Sequence, residues 1–413
     1  MLNTIFKSFL GNAPDWYKSS ILLFLLLNPL IFFYFNFIGL NPGFLLGWIV
    51  LLQFIFTLVF SIQCYPLQPG GLIAFQALLL GLTDPYHVLH EIESNLEVIL
   101  LLVFMVSAIF FMKNLLMVIF TKLLQRVKSK ILLSLLFVIS AAFLSAFLDA
   151  LTVTAVLITV MVGFYHTFER SFKNNEINEN EFEQVKSFLT DIMMHGAVGT
   201  ALGGVCTIVG EPQNLLIADK AGWEFMEFFY KMAPVTMPVL LAGLICCVLI
   251  EKFKVFSYGH QMTDELRSKI IVNAEKVDAE RTDMEKLHLV FEAMLGLCLI
   301  FALGLHLAPV GIIGLFLMVF LTAFKGITEE HQLGGAFKES LPFTSLLVIF
   351  FVVVAVINDQ SLFTPVINLV LASSVDMQVP LFYLANGALS AISDNVFVAT
   401  VYMNEIVLAL ENN

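Results

Sequence analysis

Charge is what this sequence has least of. Of its 413 residues, 13% are Asp, Glu, Lys or Arg, and long stretches carry none. Short segments of alternating polar and apolar residues are missing too, which excludes an outer-membrane barrel. Cysteine is scarce. Cys64, Cys206, Cys246, Cys247 and Cys298 lie in or beside apolar segments with no metal-ligand spacing, so they read as small, reduced, apolar side chains. No His-Glu-x-x-His is present, which removes a zinc-protease reading, and no P-loop is present, which removes ATP drive. Cofactor motifs and catalytic constellations are lacking, so the expectation is a protein that is not an enzyme. A cleavable signal peptide is not expected, because the first long apolar run, from about Ser20, is a full span. The net charge of −12 sits largely in loops and argues against a nucleic-acid partner.

What is there is apolar. Hydrophobic residues make up 59% of the chain, 41 of them Phe, and mean hydropathy is +0.90. This composition predicts an all-α integral membrane protein whose partner is the lipid bilayer. Residues 1–18 read as an amphipathic lead-in, followed by spans at 21–40, 44–63 and 70–83. A polar loop with Asp84, Glu91, Glu93 and Glu97 precedes a fourth span ending near Phe111. Lys113, Lys122, Arg126, Lys128 and Lys130 then form a basic segment without one acid, which the positive-inside tendency places in the cytoplasm. Counting back four spans puts the N-terminus there too. Beyond it, 166–187 reads as a solvated loop and 223–232 as an interfacial helix. Spans follow at 234–250, 289–307, 311–324 and 341–357. The charged segment 251–288 reads as a cytoplasmic helical loop, and 361–376 as interfacial.

The chain is organised around residues 131–164. Among these 34 residues Asp149 is the only charged one. A charge at bilayer depth costs at least about 2.5–3.5 kcal/mol, so it marks a functional candidate. As one helix the run would reach about 51 Å against a hydrocarbon core of about 30 Å. A helical hairpin that enters and leaves by one face, with Ser145 to Asp149 near its tip, fits better. The competing reading is one long buried helix whose Asp is paired by a neighbour. The motif recurs at an offset of 245: Leu144, Ser145, Ala146, Asp149, Val153 and Val156 map onto Leu389, Ser390, Ala391, Asp394, Val398 and Val401. Thr83-Asp84 maps onto Thr328-Glu329 likewise. Ordered matches at a fixed offset indicate an internal duplication. Five crossings lie between the two copies, so the repeats are expected in opposite orientation, as in secondary transporters. The second unusual element is 188–218, with Gly196, Gly199, Gly203, Gly204 and Gly210 ahead of Glu211-Pro-Gln-Asn214. Gly and Pro are costly inside helices, so this span should break between Gly203 and Asn214. Gly199-x-x-x-Gly203 also fits a close helix contact.

The expected organisation is therefore spans 1 and 2 (1–68), repeat 1 (69–250, with a hairpin at 131–164 and a broken helix at 188–218), a loop (251–288), and repeat 2 (289–413, with a hairpin at 379–410). Repeat 2 is expected to be incomplete. Adding the offset to residues 195–214 places a second broken helix at about 440–460, and exchange by this chain alone is expected to be weak.

Six motifs together resemble the NhaB-type sodium/proton antiporters from the first residues to the last. They are Pro14-Asp-Trp-Tyr17, Cys64-Tyr-Pro66, Phe143-Leu-Ser-Ala-Phe-Leu-Asp-Ala-Leu-Thr152, Gly199-Thr-Ala-Leu-Gly-Gly204, Gly210-Glu-Pro-Gln-Asn-Leu215 and Ile392-Ser-Asp-Asn-Val-Phe397. The resemblance implies an inverted-repeat fold with re-entrant hairpins and broken helices. It also implies exchange of cytoplasmic Na+ for external H+ at the bacterial inner membrane. No cofactor is implied; the cargo is Na+, with Li+ as a second cation, and H+. A homodimer is a further expectation. A carboxylate suits such exchange, being a hard oxygen ligand when ionised and releasing the cation when protonated. The expected Na+ ligands are Asp149 and, at the equivalent tip, Asp394. Ser145, Thr200, Glu211 and Asn214 accompany the first, and Ser390 and Asn395 the second. Glu211 has the alternative role of holding the helix break. Asp359, at a span end, and His195, in an apolar span, are weaker candidates, the latter for pH sensing. Two competing readings are a Na+-coupled anion symporter of the same fold and a non-transporting remnant. Asp at both tips favours cation binding over the first, and a vesicle transport assay separates the second.

Overall fold

Apolar length and capping residues decide where the helices of this chain begin and end. In the computed structural model, which describes residues 2–390, 395, 396, 398–400 and 403, every regular element among the described residues is helical. The lead-in α1 (Leu2–Ser8) turns back through Leu10 and Gly11, both at positive φ, into α2 (Asp15–Phe37). Lys18 closes this turn, its buried ammonium donating to the carbonyls of Lys7 (3.0 Å) and Gly11 (2.7 Å). Next come α3 (Gly43–Val59) and α4 (Leu67–Leu79). Polar residues in these spans satisfy one another: Asn28 donates to Gln53 and Gln76, both at 2.8 Å, as buried amides in an apolar setting must.

The stretch after Thr83 reads as a polar loop but is helical. Asp84 accepts from the Tyr86 amide (2.8 Å) and Pro85 takes the first helical position, so α5 (Pro85–Ser94) starts there. It bends by 65° at Asn95 into α6 (Leu96–Phe110), whose middle turn, Leu101–Met105, is wound as a π-helix. The amphipathic α7 (Lys113–Arg126) carries the basic segment. The central helices are α8 (Lys130–Phe147), α9 (Ala150–Lys173), α10 (Glu179–Gly204) and α11 (Pro212–Ala221). Between α9 and α10 only 174–178 is loop, because Asn178 and Glu181 form a capping box that starts α10 early. The interfacial helix and the span expected at 223–250 are one helix, α12 (Phe225–Phe253). Pro234 and Pro238 lie inside it, and the Thr236 hydroxyl bonds the Met232 carbonyl at 3.2 Å. The chain continues through α13 (Asp264–Ala279), α14 (Asp283–Gly304), α15 (Val310–Phe324), α16 (Glu330–Asp359), α17 (Thr364–Leu371) and α18 (Val375–Ser390). Among the described residues, six helices are long and apolar enough to cross a membrane: α2, α8, α9, α12, α14 and the Ser340–Asp359 part of α16.

Element boundaries repeat the offset of 245. α5 begins at Pro85 and α16 at Glu330; α7 ends at Arg126 and α17 at Leu371; α8 begins at Lys130 and α18 at Val375. Gly81 and Gly326, at the same offset, both end their helices at positive φ (71° and 67°). The compact units cut across the repeats. One comprises 1–99, 219–221 and 341–413, the other 100–218 and 222–340. Each unit therefore contains segments of both expected repeats.

Candidate functional site

The second unit holds the hairpin. Leu148 and Asp149 have extended ψ values of 115° and 132°, which ends α8 and lets α9 start afresh. Both arms have their outer ends at one end of the unit. On α13, Arg267 donates to the carbonyl of Lys128 (3.1 Å), just before α8, and Lys269 to that of Glu176 (3.3 Å), just after α9. The hairpin expected at 131–164 thus has longer arms, spanning 130–173. The second break lies where Gly and Pro predict it. Helix α10 stops at Gly204 and α11 resumes at Pro212, leaving 205–211 non-helical.

The two breaks are tied together. The Ser145 hydroxyl, fully buried, donates to the Thr200 carbonyl at 2.7 Å. The Ala150 amide donates to the Gly210 carbonyl at 3.2 Å, and the Thr207 hydroxyl donates to the Ala146 carbonyl. Within the second break, the Asn214 amide group donates to the carbonyls of Gly204 (2.8 Å) and Thr207 (2.7 Å). Glycine permits this approach. A Cβ on Gly203 would overlap the Ala142 backbone, and one on Gly199 would meet Val138. Both readings of the glycine run hold at once: close packing along α10, then a break at its end. At Gly204 a Cβ would stand 3.1 Å from Glu211 Oε1 and 3.2 Å from Ser145 Oγ, so these two side chains converge on one glycine.

Asp149 caps α9. Its Oδ2 accepts from the Thr152 amide (3.0 Å) and the Thr152 hydroxyl (3.2 Å). It is 4% exposed, and among the described residues no Lys, Arg or His forms an ion pair with it. The reading of one long helix with a paired Asp is therefore not what the structure has. Thr200, also buried, receives the Thr154 hydroxyl on its own at 3.0 Å. Gln213 donates to Glu211 Oε2. Ser145, Thr200, Glu211 and Asn214 are thus brought to the joined breaks around the tip that Asp149 caps.

Other candidates lie elsewhere. Asp359 ends α16 in the first unit, accepting from the Thr83 hydroxyl (2.7 Å) and contacting His87 Nδ1 (2.9 Å), with Asn358 donating to Glu91 (2.7 Å) beside it. Ser390 donates to Asn395, while Asp394 falls outside the described residues. His195 is buried with Nε2 2.9 Å from Glu251 Oε1. Sequence reading missed Thr152, Thr154 and Thr207. Asp149-x-x-Thr152 is a legible capping spacing. Thr154 and Thr207 carry no such signal, since their roles depend on how α8, α9 and α10 meet.

The family model described as "NhaB: Bacterial Na+/H+ antiporter B (NhaB)" matches residues 1–413. Among curated proteins, one named "Na(+)/H(+) antiporter NhaB" from Shewanella denitrificans is 52% identical over 423 residues, covering 99% of this chain and 79% of the relative. A Yersinia enterocolitica protein of the same name is 53% identical, covering 98% and 79%. Another, from Teredinibacter turnerae, is 51% identical, covering 98% and 82%.

Proposed function

The chain belongs to the bacterial Na+/H+ antiporter B family and exchanges Na+ for H+ across a membrane, and we propose that Asp149 is the group for which the two ions compete. Ionised, Asp149 offers Na+ a hard oxygen donor; protonated, it releases the ion. Oxygen donors from Ser145, Thr200, Glu211 and Asn214 complete the shell, together with main-chain carbonyls where α10 stops at Gly204. Broken helices in transporters expose carbonyls of this kind near the bilayer midplane. Asp394, with Ser390 and Asn395, is the matching group of the second repeat. Li+ is a second cargo, being a smaller cation with the same donor preference. The basic segment faces the cytoplasm, the membrane is the bacterial inner membrane, and cytoplasmic Na+ leaves as external H+ enters.

The observation that supports this reading is the joining of the hairpin tip to the helix break around a buried carboxylate that has no ion-paired cation among the described residues. Such a charge is expensive at depth unless a cation or a proton visits it. The test is Asp149→Asn, assayed as Na+-induced pH change in proteoliposomes. The amide takes up no proton at working pH, so exchange should vanish while the protein still inserts. Near-normal Na+-dependent proton flux in the variant would refute the assignment.

A further inference from the structure

The same helices carry a second buried cluster of titratable groups, about 16 Å along α8 from Ser145 as measured at Ser134. Lys130 opens α8, Asp191 and His195 lie on α10, and Glu251 lies near the end of α12. Their side chains are almost wholly enclosed: Glu251 is 0% exposed, His195 5%, Asp191 6% and Lys130 7%. Glu251 Oε1 is 2.9 Å from His195 Nε2, 3.5 Å from Lys130 Nζ, and accepts from the Ser134 hydroxyl at 2.8 Å. Lys130 Nζ lies 3.3 Å from Asp191 Oδ2 and over the Phe188 ring. Asp191 Oδ2 in turn is 3.2 Å from Nδ1 of His260, a residue 38% exposed on the loop after α12. The contacts thus form one file from His195, in the interior, to His260, at the water.

Two features argue against a purely structural role. Glu251 Oε2 is buried without a hydrogen-bond partner. A buried carboxylate oxygen without a partner calls for a visiting proton, ion or water. In addition, with neutral histidines the cluster holds one ammonium against two carboxylates, so one proton balances it. The fold itself does not require these charges. At the repeat offset of 245, Lys130 and Ser134 correspond to Val375 and Val379.

We propose that His195 and Glu251 form a proton-holding station of the antiporter, connected to water through Lys130, Asp191 and His260. A proton on Glu251 leaves as Lys130 gives one of its protons to Asp191 Oδ2 and takes one from Glu251 Oε1. Asp191 passes the proton to His260 Nδ1, His260 releases one to water from Nε2, and exchange with water then returns the remaining ring proton from Nδ1 to Nε2. One proton has moved outward and every other group is restored. The other titratable groups reaching this pair are Cys247 on α12 and Tyr258 on the loop, whose ring lies 4.8 Å from that of His195. Burial, and then the nearby carboxylates of Asp191 and Glu251, hold the Tyr258 hydroxyl above the usual tyrosine range, so it does not compete for the proton. Helix α9 presents apolar Leu157 to the adjacent Gly196.

The proposal rests on exchange through the second unit, and pH profiles separate it from the Asp149 assignment. Exchange is measured in proteoliposomes from about pH 6.5 to 8.5, across the histidine range. Glu251→Gln should lower turnover roughly tenfold or more at the acid end, a loss typical of removing an acid–base group. The deficit should shrink as pH rises and hydroxide accepts the proton directly. The Na+ KM should not change, and Glu251→Asp should restore most of the rate. Asp149→Asn, by contrast, should be inactive at every pH. Near-normal exchange in Asp149→Asn with a pH-dependent deficit in Glu251→Gln would remove the ion ligand and leave the station standing. An unchanged rate in Glu251→Gln, a loss equal at every pH, or a change in Na+ KM alone would overturn the station. If Glu251→Gln does not reach the membrane, His260→Ala at the wet end must show a smaller deficit of the same pH dependence, and wild-type behaviour there overturns the proposal.

Discussion

Gly203 leaves no room for a side chain, and this closeness sets the residue-scale energetics. A Cβ there would overlap the Ala142 backbone, which cannot swing aside as a flexible side chain could. Gly203→Ala should therefore cost about 1–3 kcal/mol through overpacking. Gly163 on α9 is the contrast, with nothing within 4 Å of an added Cβ. Gly163→Ala should gain up to about 1 kcal/mol of helix propensity. Thermal unfolding in detergent should move the two variants in opposite directions, and equal midpoints would contradict the close contact between α8 and α10. The spacing Gly199-x-x-x-Gly203 is legible as a contact motif. Which backbone it meets is not, because α8 lies more than 50 residues upstream.

At the scale of elements, α7, α14 and α15 are joined by one buried ion pair. Glu292 on α14 is 1% exposed. Its Oε2 accepts from the Leu115 amide in the first turn of α7 (2.9 Å), while Oε1 lies 2.6 Å from Lys325 Nζ. Lys325 also donates to the Phe111 carbonyl at 2.6 Å. The carboxylate thus satisfies a free helix-start amide and neutralises a lysine in one place. Glu292→Gln leaves that lysine uncompensated and should cost about 3–5 kcal/mol, whereas Glu292→Gln with Lys325→Met should recover much of the loss. A double-mutant cycle on unfolding midpoints measures this, and additive effects would mean the pair is not coupled. The sequence shows Glu292 as a lone acid in a span and Lys325 at the end of another. Nothing local in either position announces the partner.

For the whole molecule, three loops mark one end of the second unit. Arg267 holds the Lys128 carbonyl, Lys269 that of Glu176, and Gln184 donates to the Gln261 carbonyl at 2.7 Å. Residues 127–129, 174–178 and 254–263 should therefore share one side of the membrane. Helix α12, at about 1.5 Å per residue, carries the chain about 43 Å from Trp223 to that end. With the basic segment facing the cytoplasm as proposed, single cysteines at 175 and 257 in a cysteine-free background should resist an impermeant thiol reagent added outside intact cells. A cysteine at 223 should react. External labelling at 175 with protection at 223 would reverse the orientation, and labelling at 175 but not at 257 would break the shared end.

The sequence by itself determined the class of molecule and located the breaks at Asp149 and after Gly204, and its offset of 245 points to a duplication. These are local properties. Apolar length, the lone Asp149, the Gly and Pro content of 199–214 and the offset of 245 depend on residue order alone, and helix boundaries follow them. It also led to a polar loop after Asp84 that is helical, because a capping Asp followed by Pro outweighs local polarity over the ten residues Pro85–Ser94. Only tertiary structure decided which groups meet. Lys130 and Asp191 are 61 residues apart, and Ser134 and Glu251 are 117 apart. Whether such charges end in water or in a buried file depends on how α8, α10 and α12 pack. That packing is set by glycine faces and apolar surface, not by anything written beside the charges themselves.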